Sequence, residues 1–197
     1  MDSSSCLLKL CIVFFMVLGC NISRGDENLL LNESFETAGA VNIALNWDVY
    51  KCGYTRSDDV SNSGSWSCKI TGNGGENEIG LGGTFFNINS GFPASGTFNV
   101  SSNIYMASYT QGRIYGTYVS VKYADSSQEI FNSILSVAEI TENMHKWKKY
   151  NLSFTTNASK TISSISCWCL VWAVNGKKFI GTVYFDDVNI TILKPVL

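Results

Sequence analysis

Alternation with a period of two residues governs most of this chain. From Trp47 onward the apolar stretches are short, rich in β-branched and aromatic residues, and separated by Gly, Asn, Asp and Ser. Successive side chains of a strand point to opposite sides, so this is the pattern of strands with one face in a core. Residues 28–35 read as an opening strand. Residues 47–52 and 65–71 flank the polar loop TRSDDVSNSG, and GNGGENEIGLGG reads as a turn cluster. Further strands are expected over 84–88, 97–101, 103–107, 114–123, 129–139, 148–155, 163–173 and 179–193, and only 136–145 carries a helical hint. Roughly nine to eleven short strands without helical alternation predict an all-β fold. The expected architecture is a single-domain antiparallel β-sandwich of the jelly-roll kind over residues 26–197.

Composition narrows what such a sandwich does. With 45% hydrophobic and 15% charged residues in a chain of 197, there is enough apolar material for one core and too little charge for a disordered chain. A net charge of −2 supplies no basic footprint for nucleic acid. The single histidine, His145, sits in a lysine-rich approach to a strand and reads as a solvated loop residue. Neither a G-x-S-x-G nor an H-E-x-x-H motif is present. Glycosidases need two carboxylates across a cleft, and Asp58-Asp59 or Glu76 and Glu78 would serve only beside a groove. The expectation is a binding protein and not an enzyme.

The address of the chain is written at its start. Residues 7–19 read LLKLCIVFFMVLG, an apolar run too short to cross a bilayer. Ser23 and Gly25 follow as small residues before Asp26, so residues 1–25 are expected to be a secretory signal peptide and the protein secreted, without a membrane span in the remainder. Beyond it stand five N-x-S/T sequons, at Asn32, Asn99, Asn151, Asn157 and Asn189, as in a secreted glycoprotein. Cys52, Cys68, Cys167 and Cys169 also remain, an even number suited to disulfides in an oxidising compartment. Cys52 with Cys68 is the favoured pair, since they flank a turn-rich loop and would meet across a hairpin. The pairing of Cys167 and Cys169, two apart in one strand, stays open.

The stretch NLLLNESFET, then Trp47, then GSWSCKIT, and near the end HKWKKYNLSFTT and YFDDVNI, resembles in order and spacing the carbohydrate-binding modules of the family 4/9 (CenC-like) group. The resemblance covers roughly residues 28–193. Departures are Glu33 in place of a glycine and the absence of the family's G-K-x-Y strand start within 84–110. It implies a galactose-binding-domain-like sandwich, core positions for Trp47 and Trp147, and a structural calcium ion held by Glu36, Asp186 and a backbone oxygen such as that of Lys69.

Sugar rings present apolar C–H faces that stack on tryptophan and tyrosine. In the run SCWCLVW, Trp168, Leu170 and Trp172 share one face and Cys167, Cys169 and Val171 the other. With the small face in the core, the tryptophans form a platform with rings about 7 Å apart, from a rise of about 3.3 Å per residue. With the large face inward they are ordinary core. Tyr115, Val119, Val121 and Tyr123 share parity and read as core, which turns Tyr118 to the opposite face. Trp168, Trp172 and Tyr118 are therefore the sugar-binding candidates, with Gln111, Arg113 and Asn175 as unranked flanking partners. The expected function is non-catalytic binding of an extracellular or cell-wall polysaccharide. The alternative is an adhesive or coat glycoprotein using the same sandwich on extracellular matrix proteins, and a third reading is a small polysaccharide lyase.

Overall fold

Strand pairing organises the chain in the computed structural model, which describes residues 28–74 and 81–195. The strands are β1 (Asp48–Lys51), β2 (Thr55–Ser57), β3 (Ser67–Asn73), β4 (Leu81–Ile88), β5 (Gly96–Gln111), β6 (Arg113–Tyr123), β7 (Gln128–Ile134), β8 (Trp147–Thr155), β9 (Ile162–Trp172) and β10 (Ile180–Pro195). One short helix, α1 (Val137–Glu142), separates β7 from β8. The strands form two five-stranded sheets, β1-β4-β9-β6-β7 and β2-β3-β10-β5-β8. Every pairing is antiparallel. This is the expected single-domain sandwich. The expected signal peptide, residues 1–25, lies outside the described residues.

The core fills the space between the sheets. Phe98, Val100, Ile104 and Met106 of β5 face it with Val183, Phe185, Val188, Ile190 and Ile192 of β10. The first sheet contributes Phe86, Val119, Val121, Tyr123, Ile165, Cys167, Cys169 and Val171. The expected strands 97–101 and 103–107 are one continuous β5, because the irregularity falls on its partner. The β10 register slips between Asp186 and Asn189, where Asp187 adopts a left-handed φ of 46°.

Residues 28–35 are not a regular strand. Asn32 and Phe35 have φ of 56° and 62°, which no strand accommodates. The segment still runs along β10, with the Leu29 amide donating to the Ile190 carbonyl (2.9 Å) and the Val188 amide to the Glu33 carbonyl (3.0 Å). Trp47 clamps it: its ring, 2% exposed, lies 4.7 Å from Phe35 and 5.9 Å from Phe86. Its indole N–H donates to the Asn32 carbonyl at 2.9 Å. The helical hint is real, since Ser136 and Glu139 form a reciprocal capping box at the start of α1.

Two sequence expectations are corrected here. Trp147 is not core: it stands half-buried on the outer face of the second sheet, its ring 5.5 Å from Tyr105. Cys52 and Cys68 are not bonded, and all four described cysteines are free thiols. Cys52 follows β1 in the first sheet and is exposed, whereas Cys68 is buried on β3 in the second. They are not the two arms of a hairpin, because the chain changes sheets between them and β3 pairs with β2 instead.

Trp47→Ala is expected to lower the unfolding free energy by about 3–5 kcal/mol, measured by denaturant titration. Thiol labelling of the native protein with peptide mapping should modify Cys52, with Cys68, Cys167 and Cys169 reacting only after unfolding.

Candidate functional site

The outer face of the first sheet is built around β9. Cys167, Cys169 and Val171 enter the core, which turns Trp168, Leu170 and Trp172 outward. Backbone register then sets a transverse row across all five strands, running Asp48, Phe85, Trp168, Tyr118 and Asn132. Tyr50 pairs with Gly83, which has no side chain to hold it off, and its ring meets Trp168 edge-on at 5.0 Å. Phe85 stacks on Trp168 at 4.4 Å and Tyr118 approaches it edge-on at 6.0 Å.

Tyr115 is buried as expected, 7% exposed, but on the opposite side of its sheet from the sandwich core. The register of β6 slips between Tyr115 and Thr117, so Ile114 points inward and Tyr115 joins Tyr118 on the outer face, edge-on at 5.1 Å. Gly116 makes the slip possible, since a Cβ there would stand 2.8 Å from Ser133 Oγ and 3.0 Å from Leu135 Cδ2. A lone glycine inside a strand pattern is a bulge signal, and Ile-Tyr-Gly-Thr-Tyr carried it.

The two tryptophans share this face but differ in what they offer. Trp168 is hemmed in by Tyr50, Phe85 and Tyr118, and its buried indole N–H has no hydrogen-bond partner. It is the base of an aromatic cluster and not a free platform. Trp172 is half-buried, and among the described residues no ring packs on it. Arg113 lies opposite Trp172 and donates from Nη1 to the Tyr115 hydroxyl at 3.3 Å. Burial, with Tyr115 and Tyr50 nearby, pushes the Tyr118 phenol up, so it stays protonated and both donates and accepts. The face thus offers ring surface flanked by Arg113, Tyr118 and Asn132. Gln111 and Asn175 lie apart from it, lining a hollow of about 300 Å³ with Tyr109 and Lys177.

Glu36 and Asp186 come to one loop, residues 62–66. The Ser65 and Trp66 amides donate to Glu36 Oε1, each at 2.9 Å. The Asn62 and Ser63 amides donate to Asp186 Oδ2 at 2.7 and 3.1 Å, and the Asp187 amide to Asp186 Oδ1 at 2.8 Å. Lys69 is paired in mid-sheet with Thr55 and Tyr184, and its ammonium points to Asp59 (2.5 Å). Calcium needs about six to eight oxygens, whereas these carboxylates face N–H donors. The described residues contain no group of three or more His, Cys, Asp or Glu side chains able to hold a metal. As arranged, the residues fit the loop and do not fit a calcium ion.

The acid pairs considered for catalysis are scattered. Asp58 and Asp59 line a second hollow, of about 610 Å³, with Arg56, Trp66 and Lys69, where Asp59 also accepts from the Tyr184 hydroxyl at 3.1 Å. Lys69, with Ser57 and Tyr184, holds the Asp59 carboxyl below its ordinary range. His145 lies across the second sheet's Tyr105, ring centres 6.4 Å apart. Glu76 and Glu78 lie outside the described residues.

No protein-family model matches the chain, and no curated protein matches its sequence. Solved structures do match its fold. The CBM22-1 xylan-binding domain of Xyn10C from Paenibacillus barcinonensis superposes with a TM-score of 0.59 at 13% identity, covering 86% of this chain and 97% of that one. The C-terminal family 22 carbohydrate-binding module of Clostridium thermocellum Xyn10B gives 0.57 at 11% identity, over 89% and 98%. An arabinose-bound α-L-arabinofuranosidase, MgGH51, matches through a part: 0.56 at 14% identity, over 83% of this chain and 26% of the enzyme. The fold is therefore the β-sandwich of carbohydrate-binding modules. Several such families share it, and the match does not single out family 4/9.

Asp186 is fully buried, and burial pushes its carboxyl up to about 6 against the lowering pull of the Ser63 and Asn62 amides. An acid that binds its proton more tightly when folded loses stability as pH rises from its unfolded to its folded pKa. Stability should therefore fall between about pH 4 and about pH 6, by at most about 3 kcal/mol. Denaturant unfolding across that range should show the slope in the native protein and its loss in Asp186→Asn.

Proposed function

We propose that this protein is a secreted, non-catalytic carbohydrate-binding module that holds an extracellular or cell-wall polysaccharide on the outer face of its first sheet. One observation carries the reading: an aromatic cluster of Tyr50, Phe85, Tyr115, Tyr118 and Trp168 is gathered on a sheet face that has no part in the core. Beside it stands Trp172, half-buried and with no ring packed on it among the described residues. A sugar ring stacks on Trp172 and on the exposed part of Tyr118, while Arg113 and Asn132 take up hydroxyls as hydrogen-bond partners. The fold shared with xylan-binding modules supports the same reading. Because the cluster is already packed, the surface is preformed and little ordering cost accompanies binding.

A second reading has its own support. Ile130, Ile134 and Val137 are 51%, 48% and 64% exposed, the first two on β7 at the sheet edge. Such an apolar edge suits a protein partner in a matrix or coat.

The test is retention of the purified protein on xylan, β-glucan, mannan and chitin, with and without a calcium chelator. Binding to one polymer class is expected, unchanged by the chelator, weakened about tenfold or more by Trp172→Ala and unaffected by Trp147→Ala on the opposite sheet. A folded protein retained by none of the polymers would overturn the reading in favour of the adhesive one.

A further inference from the structure

The five sequons beyond residue 25 are scattered in the chain, but three of them meet in the fold. N-x-S/T places its asparagine and its hydroxyl two residues apart, the repeat of a strand, so both point to the same face. Asn189 pairs with Ser101 and Ser101 with Asn151, while Thr191 pairs with Asn99 and Asn99 with Ser153. The sequons of β10, β5 and β8 thus interlock as two rows of three: Asn189, Ser101, Asn151 and Thr191, Asn99, Ser153. The intervening residues Ile190, Val100 and Leu152 pack in or against the core, which turns the six polar side chains to the outer side of the sheet. There Asn151 and Ser153 are exposed, Asn99, Asn189 and Thr191 half-buried, and Ser101 buried between its neighbours. Ser153 donates its hydroxyl to Asn99 Oδ1 at 3.2 Å. None of the five sequons falls on a strand of the first sheet.

We infer that the outer face of the second sheet is a glycan-bearing face, carrying N-linked glycans on Asn99, Asn151 and Asn189. The inference rests on the secreted reading above. The step is a glycosyl transfer from a lipid-pyrophosphate-linked oligosaccharide. The asparagine Nδ2 forms a bond to the anomeric carbon and loses one proton, the C1–O bond breaks, and the lipid pyrophosphate leaves. No oxidation or reduction is involved. The asparagines of neighbouring strands stand about 7–8 Å apart on the diagonal, and Asn151 and Asn189 about 10 Å apart across two strand spacings. Their glycans cover this face and leave the aromatic face of the first sheet bare for a polymer.

The same geometry sets Asn32 apart from the other four. Its Nδ2 donates to both the Thr37 and Leu45 carbonyls, each at 2.9 Å, and its Oδ1 accepts from the Thr37 amide at 2.8 Å. A glycan would replace one of those N–H groups in the turn that Trp47 clamps, so the folded protein carries Asn32 unmodified. Asn157, in an exposed turn closed by Ser159 on its Oδ1, keeps its amide nitrogen open and serves as the internal reference.

The test is site mapping of the full chain secreted from a eukaryotic host, by peptide mass spectrometry before and after enzymatic deglycosylation, which converts each occupied asparagine to aspartate. Conversion is expected at Asn99, Asn151, Asn157 and Asn189 and not at Asn32. Conversion at Asn157 with unmodified Asn99, Asn151 and Asn189 would overturn the inference while leaving secretion intact. Retention in the cell with no conversion anywhere would overturn both. The glycosylated protein should bind its polysaccharide within about twofold of the enzymatically deglycosylated one. A much larger gain on deglycosylation would mean that the sugars cover the ligand face, and would also overturn it.

Discussion

The choice of which β9 face enters the core governs the arrangement of both outer surfaces. The strand lies between β4 and β6 in its sheet, and its inward residues are Cys167, Cys169 and Val171. Across the core they meet Cys68, itself small and fully buried, whose thiol is hydrogen-bonded to that of Cys169. Burial pushes the thiols of Cys167 and Cys169 up, so they remain neutral and behave as compact apolar groups. Indoles in those places would force the sheets apart, because close-packed interiors do not absorb extra volume. The tryptophans are consequently expelled to the outer face, and the aromatic cluster there results from the small residues beneath it.

A second constraint holds the edge of the sandwich together. The N-terminal segment, the loop of residues 62–66 and the slip in β10 meet at Glu36, Asp186 and Asp187. Each carboxylate answers backbone or side-chain donors from that loop. A buried carboxylate is tolerated only with such partners, and the five backbone amides on Glu36 and Asp186 supply them without a cation. The two outer faces then differ in layout: a ring cluster around Trp168 on the first sheet, and on the second a smaller one around Tyr105 beside a patch of amides and hydroxyls. On the proposed reading, a polymer on one side and glycans on the other would not compete.

Much of this was legible in the chain. Alternation marked most of the strands, residues 136–145 carried a helical hint where α1 forms, and parity divided β9 into its two faces. Illegible were features that depend on partners distant in sequence. Tyr115 changed sides because Gly116 let the register slip against β7 and β9. Phe85 and Tyr50 joined Trp168 only through pairing across β4 and β1. Trp147 matched a core position by resemblance, yet β8 is an edge strand of the second sheet and turns that residue outward. The pairing of Cys52 with Cys68 failed because the chain crosses from one sheet to the other between them, a change that no local pattern records.

By itself the sequence determined the class of fold and the two chemistries available to it, since a two-residue period fixes strand faces wherever one side must be apolar. It also determined the sequons, whose spacing happens to equal that period. Tertiary structure alone decided which rings cluster, which tryptophan the cluster encloses, and that three sequons become neighbours. Those outcomes depend on register between strands far apart in the chain, and register is chosen by the packing of the whole core.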